Sequence, residues 1–402
     1  MSDVSNQAKP QIYLDHAATT PVDPIVLERM IPYFGSTFGN PSSWHGYGRA
    51  ALHAVDAARD KIASLIGAKP AEIYFTSCGT ESDNWALRGA VRQSNKPVKH
   101  IVTTAIEHPA ILDTCSDLEK QGVEVTYVGV DNSGIVSVDA IKEAIKSNTA
   151  IVSVMTANNE IGSIQPIAEI GDYCRDEGIY FHTDAVQAAE SENLNVNDLN
   201  VDMLSLSAHK FHGPKGIGIL YIRSGVKLGR IITGGHQERG QRAGTTNTPL
   251  IVGMAEALAI AVEKREEYVM RISKLRDYFI DRALSEVPYS RLNGGRIKRL
   301  PNNANLSFEY IEGESLLMML DNKGIAVSSG SACASGSLEP SHVILALKVP
   351  PEIAHGSVRF SLGRDTKKEE IDYVIDALKA SVERLRVISP LFNVEKGTGH
   401  YV

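Results

Sequence analysis

Residues 201–222, VDMLSLSAHKFHGPKGIGILYI, decide the fold class. An apolar run of strand length closes on Ser207, Ser-Ala-His-Lys follows, and a Gly-Pro-Lys-Gly turn returns the chain into a second apolar run. Lys210 therefore stands where a strand stops. A lysine amine held against apolar surface has a lowered pKa and can form a Schiff base with a carbonyl, such as that of pyridoxal phosphate. A plain surface lysine is the alternative, and only its context decides between them.

Working outward, strand-length apolar runs occur at 72–76, 100–104, 124–128, 150–155, 180–183, 203–207 and 218–222, seven before residue 225. Between them lie segments of helical period at 44–67, 82–93, 110–121, 138–145 and 167–178, bounded by turn or cap residues. Strand, loop, helix is the repeating unit, and that favours an α/β protein with a largely parallel or mixed sheet. Residues 251–287 read as helical throughout and carry the chain into a second domain. There, strands at 303–308 and 357–361 and helices at 314–320 and 368–385 suit a small α+β domain. Residues 328–337 hold five Ser, two Gly and two Ala around Cys333, a composition that disfavours rigid secondary structure.

Polar residues gather where strands end. Asp184 ends a run 26 positions before Lys210 and suits the acid that keeps a pyridoxal ring nitrogen protonated, or else caps the next helix. Tyr74 to Ser82 runs through Gly79 and Thr80 into a helix, where backbone N–H groups and the helix dipole attract phosphate; an ordinary N-cap is the alternative. Ser207 and His209 could add phosphate donors. His108, in Glu-His-Pro, could stack on a flat ring and move protons, or serve as a capping or core histidine. Asn159 and Gln187 could hydrogen-bond a ring oxygen. In open α/β sheets ligands bind beyond the carboxyl ends of the strands, so one site accounts for all of these residues. No Gly-x-Gly-x-x-Gly fingerprint and no Walker-type loop competes for the assignment.

Composition sets the outer bounds. The 402 residues are 43% hydrophobic and 22% charged, the range of a compact soluble enzyme. A net charge of −7 argues against broad attraction to nucleic acid or anionic membranes. The cysteines, at 78, 115, 174 and 333, have neither zinc nor redox spacing. Residues 1–11 lack an apolar signal core or an Arg-rich stretch, and no apolar run approaches the roughly 20 residues that span a bilayer, so a cytoplasmic location is expected.

Six segments together resemble the cysteine desulfurases of the IscS/NifS type: Tyr-Leu-Asp-His-Ala-Ala-Thr-Thr (13–20), Gly-Asn-Pro-Ser-Ser (39–43), Thr-Glu-Ser-Asp-Asn (80–84), Ala-Asn-Asn-Glu-Ile-Gly (157–162), Ser-Ala-His-Lys (207–210) and Ser-Ser-Gly-Ser-Ala-Cys (328–333). The resemblance runs from about residue 12 to 390. It implies a fold-type I pyridoxal-phosphate-dependent transferase with a large domain, residues 17–265, built on a mainly parallel seven-stranded sheet. A small domain would combine residues 1–16 with 266–402 and carry the Cys333 loop.

Carried over residue by residue, the resemblance makes Lys210 the Schiff-base lysine, Asp184 the pyridinium partner and His108 the stacking residue. Thr80, Ser207 and His209, with Gly79 beside them, match phosphate binders, while Asn159 and Gln187 match contacts to the cofactor oxygen. Thr245 matches a threonine that reaches the phosphate of the partner subunit in a homodimer. Arg359 matches the arginine that holds the substrate carboxylate, assisted by Asn40 and Asn159. Cys333 would take sulfur from L-cysteine as a persulfide and release alanine. The long Cys333 loop implies delivery to an iron–sulfur scaffold of the IscU type, with Cys333 able to ligate a [2Fe-2S] cluster shared with that scaffold. Two departures stand out. The final residues, Ser-Pro-Leu-Phe-Asn-Val-Glu-Lys-Gly-Thr-Gly-His-Tyr-Val, differ from the tail by which bacterial housekeeping relatives dock their scaffold, and Cys78 stands where relatives often have a small residue. Cys78, Cys115 and Cys174 read as packing cysteines. Competing expectations are another pyridoxal-phosphate activity, such as an aminotransferase or selenocysteine lyase, and a metal- or cluster-carrying module without the cofactor.

Overall fold

The computed structural model describes residues 10–329, 340–393 and 397–399; Cys333 lies outside the described residues. Two compact units share the chain. One takes Thr19–Asn159 and Ser163–Tyr268, the other the described residues of Met1–Ala18, Glu160–Gly162 and Val269–Val402.

Numbered along the chain, β1 (Ile12–Tyr13) belongs to the second unit. The first unit is organised by one sheet built from β2 (Ile73–Thr76), β3 (His100–Thr104), β4 (Glu124–Val128), β5 (Thr149–Ser153), β6 (Tyr180–Asp184), β7 (Met203–Ser207) and β8 (Gly218–Ile222). The strand order is β2-β8-β7-β6-β5-β3-β4, and only β8 runs against its neighbours. A largely parallel sheet needs crossover helices on its faces, so its strands are covered on both sides. Accordingly β3, β7 and β8 are buried at every residue. Trp85, Leu87, Ile101, Ile111, Ile151, Met203 and Leu220 form one core cluster, in which each large side chain contributes about 1.5–3 kcal/mol by leaving water.

Two boundaries matter for function. The helix after β2 starts at Gly79, three residues before the sequence reading places it, which brings Gly79 and Thr80 into its first turn. Strand β6 extends to Asp184, so that carboxyl sits on the last strand residue. The expected continuous helix at 251–287 is two helices, Thr248–Glu263 and Arg265–Glu286, separated at Lys264. The chain passes between the units within the second of these.

In the second unit β9 (Ser290–Leu292), β10 (Asn303–Phe308), β12 (Ser328–Ser329) and β13 (Ser357–Ser361) form an antiparallel sheet in the order β12-β13-β10-β9, and β11 (Ile325–Ala326) pairs in parallel with β1. Ser328 and Ser329 are therefore strand residues, although their composition reads as loop. Pairing with Val358 and Arg359 overrides the local preference. Phe279 packs on Phe360 at 4.8 Å between ring centroids, and the helix Lys368–Ile388 buries Ile371, Val374, Ile375 and Leu378. Among the described residues no helix is long and apolar enough to cross a membrane.

Candidate active site

Five turns at carboxyl ends of the first unit's sheet present the residues that the sequence singles out. After β2 the helix Gly79–Gln93 begins at Cys78 with no side chain capping it, so its N-terminus keeps the uncapped N–H groups that an anion site requires. A Cβ on residue 79 would lie 2.8 Å from Val186 Cγ2, so glycine is needed for the helix start to approach the end of β6. Thr80 is exposed beside it. Glu81, in the same turn, accepts both Nε (2.7 Å) and Nη2 (2.9 Å) of Arg242 and the amide of Ser77 (2.7 Å). Burial alone would raise its pKa, but these hydrogen bonds hold the carboxyl below its ordinary value. The Arg242 fork also anchors the segment that carries Thr245, and Thr245 lines a cavity of about 150 Å³ with Thr76 and Ser77.

After β3, His108 caps the helix Pro109–Glu119: its Nδ1 accepts the Ala110 N–H at 3.1 Å. The capping alternative is therefore real, and it has a chemical consequence. An Nδ1 that accepts a hydrogen bond leaves the proton on Nε2 in the neutral ring. Glu107 beside it is buried; it accepts Thr104 Oγ1 at 2.6 Å and Met155 N at 3.0 Å. Burial pushes its carboxyl up to about 8, against those hydrogen bonds and aided by the charge of Asp184.

After β6, buried Asp184 accepts the Val186 N–H at 2.9 Å. Burial raises its pKa, while the charges of His108 and Lys210 and the Val186 N–H pull against the rise. Asp184, His108 and Lys210 are thus electrostatic neighbours. Gln187, half-buried, follows in the same turn, and Asn159 is half-buried in the loop after β5. After β7, Ser207 is buried and Ala208–Lys210 form a single 3₁₀ turn. His209 is fixed by Thr19 Oγ1 at 3.1 Å, and its carbonyl accepts both the amide and the hydroxyl of Thr20 at 2.9 and 3.0 Å. Burial and the charges of Lys210 and Lys215 push His209 down to about 4, so it is neutral near pH 7.

Two further candidates lie on other elements. Asn40 is exposed in a turn where its Oδ1 accepts the Ser42 amide at 2.9 Å. Arg359 belongs to the second unit, on β13, where its Nη2 donates to Asp15 Oδ1 at 2.9 Å. Cys115 and Cys174 are fully buried and their thiols are pushed up to about 12 by burial, which suits packing cysteines; Cys78 is the half-buried N-cap residue of the phosphate-side helix.

Several residues that support the site are not among those singled out by sequence. Asn158 Nδ2 donates to Ile106 O at 2.7 Å and ties the turn after β3 to the loop after β5. Asp83 and His182 are buried beneath the strand ends. His182 could have been suspected, because a polar residue in the middle of a strand buried on both faces needs partners.

Comparison with known proteins identifies the scaffold. The family model for Aminotransferase class-V matches residues 12–374. The chain belongs to the class-V aminotransferase family. It is 52% identical over 389 residues to the cysteine desulfurase IscS of Methanosarcina thermophila, covering 97% of this chain and 96% of that protein. To the cysteine desulfurase IscS of Dictyoglomus turgidum it is 50% identical over 382 residues, 95% of this chain and 97% of that protein. A solved NifS-like protein superposes with a TM-score of 0.88 at 39% identity, covering 94% of this chain and all of that one. A structure of SspA in complex with cysteine does so with a TM-score of 0.78 at 38% identity, covering 88% of this chain and 99% of that one.

This class-V aminotransferase therefore has the fold-type I α/β architecture and is a pyridoxal-phosphate enzyme. The residues present fit that cofactor. An uncapped helix N-terminus with a glycine where a Cβ would clash suits its phosphate, and a buried carboxyl whose ionised form burial disfavours is one that a cationic ring nitrogen would hold charged.

Proposed function

We propose that this class-V aminotransferase is a cysteine desulfurase that converts L-cysteine to L-alanine and passes the sulfur to Cys333 as a persulfide. The reading is carried by Lys210, Asp184 and an uncapped helix N-terminus at the strand ends of one unit, in a chain about half identical to proteins named cysteine desulfurase. Pyridoxal phosphate, when bound, supplies the electron sink that weakens bonds around the substrate's reacting carbons.

The chain's own residues bind, orient and move protons. Lys210 holds the cofactor covalently. The helix N-terminus at Gly79 and Thr80, with Ser207 and His209, holds the phosphate, and Thr245 reaches the phosphate of the partner subunit. Asp184 keeps the ring nitrogen protonated, while Asn159 and Gln187 hydrogen-bond the ring oxygen. His108, its ring fixed by the Ala110 amide, stacks on the cofactor and offers the Nε2 proton for transfer. Arg359, oriented by Asp15, takes the substrate carboxylate, with Asn40 and Asn159 assisting. The Cys333 thiolate attacks the substrate sulfur: an S–S bond forms, the C–S bond breaks, and its electron pair stays on the carbon fragment. That fragment takes up a proton and leaves as alanine, so no external oxidant is needed.

We further propose a cytoplasmic homodimer that delivers sulfur to an iron–sulfur scaffold of the IscU type. Ile31, Phe34, Phe38, Trp44 and Tyr47 are exposed within one short stretch, Trp44 at 94%, and a second copy of the chain would cover such an apolar surface. A [2Fe-2S] cluster shared with the scaffold would take one ligand from Cys333 and the others from the partner.

Incubation with L-cysteine followed by intact-mass analysis tests the central step. The expected result is one added sulfur, mapped to Cys333 and missing from Cys333→Ala, with stoichiometric alanine. Alanine and sulfide released by Cys333→Ala at the wild-type rate would exclude the mechanism. Loss of the cofactor's visible band in Lys210→Ala tests the attachment separately.

A further inference from the structure

Beneath the cofactor-side residues of the first unit runs a buried chain of polar groups that the reaction does not use directly. His182, two residues before Asp184 on β6, projects from the same face of the sheet. Its Nδ1 lies 2.9 Å from Ser153 Oγ on β5 and its Nε2 2.9 Å from Ser205 Oγ on β7. Ser205 is the register partner of Asp184, and Ser153 that of His182, so the bridge spans three adjacent strands just below their carboxyl ends. Asp83 enters from the helix Gly79–Gln93: its carboxyl hydrogen-bonds Ser205 and comes within 3.6 Å of His182 Nε2. Ser82, beside Asp83, donates to the Ile219 carbonyl at 2.9 Å and anchors the same helix turn to β8. His182 and Ser153 are fully buried and Asp83 nearly so.

This polar chain has a thermodynamic oddity. Buried polar networks rarely stabilise a fold more than well-packed apolar residues would, and what they contribute is a fixed geometry. The geometry fixed here is informative, because each member sits just below a turn that faces the cofactor. Asn159 follows β5, Asp184 ends β6, Ser207 and Lys210 follow β7, and Gly79 and Thr80 open the helix.

We propose that His182 and Asp83 are positioning residues: the chain Asp83–Ser205–His182–Ser153 locks the ends of β5, β6 and β7 and the phosphate-side helix into the one arrangement that receives pyridoxal phosphate. The proposal rests on Asp184 being the partner of the ring nitrogen. One run of donors links the four residues when Asp83 comes first: the acid donates to Ser205, Ser205 to Nε2 of His182, and Nδ1–H of His182 to Ser153, with Asp83 Oδ1 left without a hydrogen bond 3.6 Å from Nε2. The electrostatics agree. Burial, with the charges of Asp184, Glu107 and Cys78, raises the Asp83 pKa well above its ordinary value and so favours the protonated form that can donate to Ser205, and burial pushes His182 down to about 3. His182 is then neutral at pH 7, and Asp83 is biased toward its protonated form, which spares Asp184 a like charge beside it.

The test uses the full-length enzyme, stripped of cofactor and titrated with pyridoxal phosphate. Two properties are read, the dissociation constant and the pH midpoint of the visible band, alongside the melting temperature of the stripped protein. His182→Phe fills the space and breaks the chain, and should melt near wild type while binding the cofactor at least about tenfold more weakly with a shifted midpoint. Asp83→Leu should do the same, and Asp83→Asn, which keeps a donor toward Ser205, should restore the affinity. Should His182→Phe fail to fold, His182→Asn retains the bridge toward Ser153 and His182→Gln that toward Ser205, and each should show a partial loss. Wild-type affinity and midpoint in a folded His182→Phe, or equal losses in Asp83→Asn and Asp83→Leu, would overturn the proposal. Asp184→Asn is measured in parallel: an unchanged midpoint there overturns the assignment of Asp184, whereas a shift there with a silent His182→Phe overturns the positioning role alone.

Discussion

The turns after β2, an edge strand of the first unit's sheet, and after β3, an interior strand, each lead into a helix with a glutamate close to its start. They end up with opposite character. After β2 the helix starts on Cys78 without a side-chain cap, and Glu81 is tied sideways to Arg242 and Ser77, so the first-turn amides remain for an external anion. After β3 the helix is capped by His108 with Pro109 at its first position, and Glu107 is buried against neutral donors. One turn leaves its N-terminus open, and the other closes its own and presents an imidazole instead. A strand-end position thus specifies where chemistry can happen, while the cap specifies which chemistry.

Breaking the closed turn should have the largest effect. His108→Ala removes the cap and the ring together, and should cut turnover by about 10²–10⁴-fold while lowering stability by about 1 kcal/mol. His108→Asn separates the two losses, because asparagine is a good N-cap but cannot stack or transfer the proton. Its melting temperature should return toward wild type with turnover still lost. Recovery of both in His108→Asn would show that the cap alone is the histidine's role.

Closing the open turn should have the next largest effect. In Gly79→Val the added atoms meet Val186 and must displace the helix start, at a cost of about 1–3 kcal/mol, or about 5- to 150-fold in cofactor affinity. Titration of the stripped variant with pyridoxal phosphate measures this. An affinity unchanged from wild type would mean that the phosphate does not sit on this turn.

Much of this contrast is visible in the sequence, and the rest is not for a definite reason. Strands 100–104, 203–207 and 218–222 read correctly because each is a short segment rich in apolar or β-branched residues with turn residues nearby, and the residues just after them, such as His108 and Lys210, follow directly. Strands β1, β11 and β12 have two residues each, too short for any period to register. Asp83 and His182 look like an exposed helix residue and a stray polar strand residue. Their meaning depends on Ser153 and Ser205, which strand register brings beside them from 29 positions before and 23 after His182. Glu107 reads only as the neighbour of His108, since nothing local reveals that Met155 donates to it across β3 and β5.

The smallest effect separates the two glutamates by the sign of their pH dependence. Glu107 has a folded pKa of about 8 against an ordinary 4.5, so the folded state holds its proton more tightly than the unfolded chain does. The stability this contributes is complete below pH 4.5 and is lost as pH rises toward 8, by up to about a tenfold change in the folding equilibrium per pH unit. Glu107→Gln keeps an oxygen for Thr104 and Met155 and cannot ionise, so its stability relative to wild type should climb from pH 5 to pH 8. Glu81 behaves in the opposite way. Its pKa is depressed by Arg242 and Ser77 despite burial, so its contribution is present above pH 4.5 and fades as acid protonates it. Glu81→Gln should therefore be less stable than wild type at neutral pH, with the gap narrowing on acidification. Denaturant melts of the three proteins at pH 4, 5.5, 7 and 8 resolve the two slopes. Parallel curves for Glu107→Gln and wild type would mean that Glu107 is already ionised in the folded state, leaving the cluster around Asp184 without its neutral neighbour.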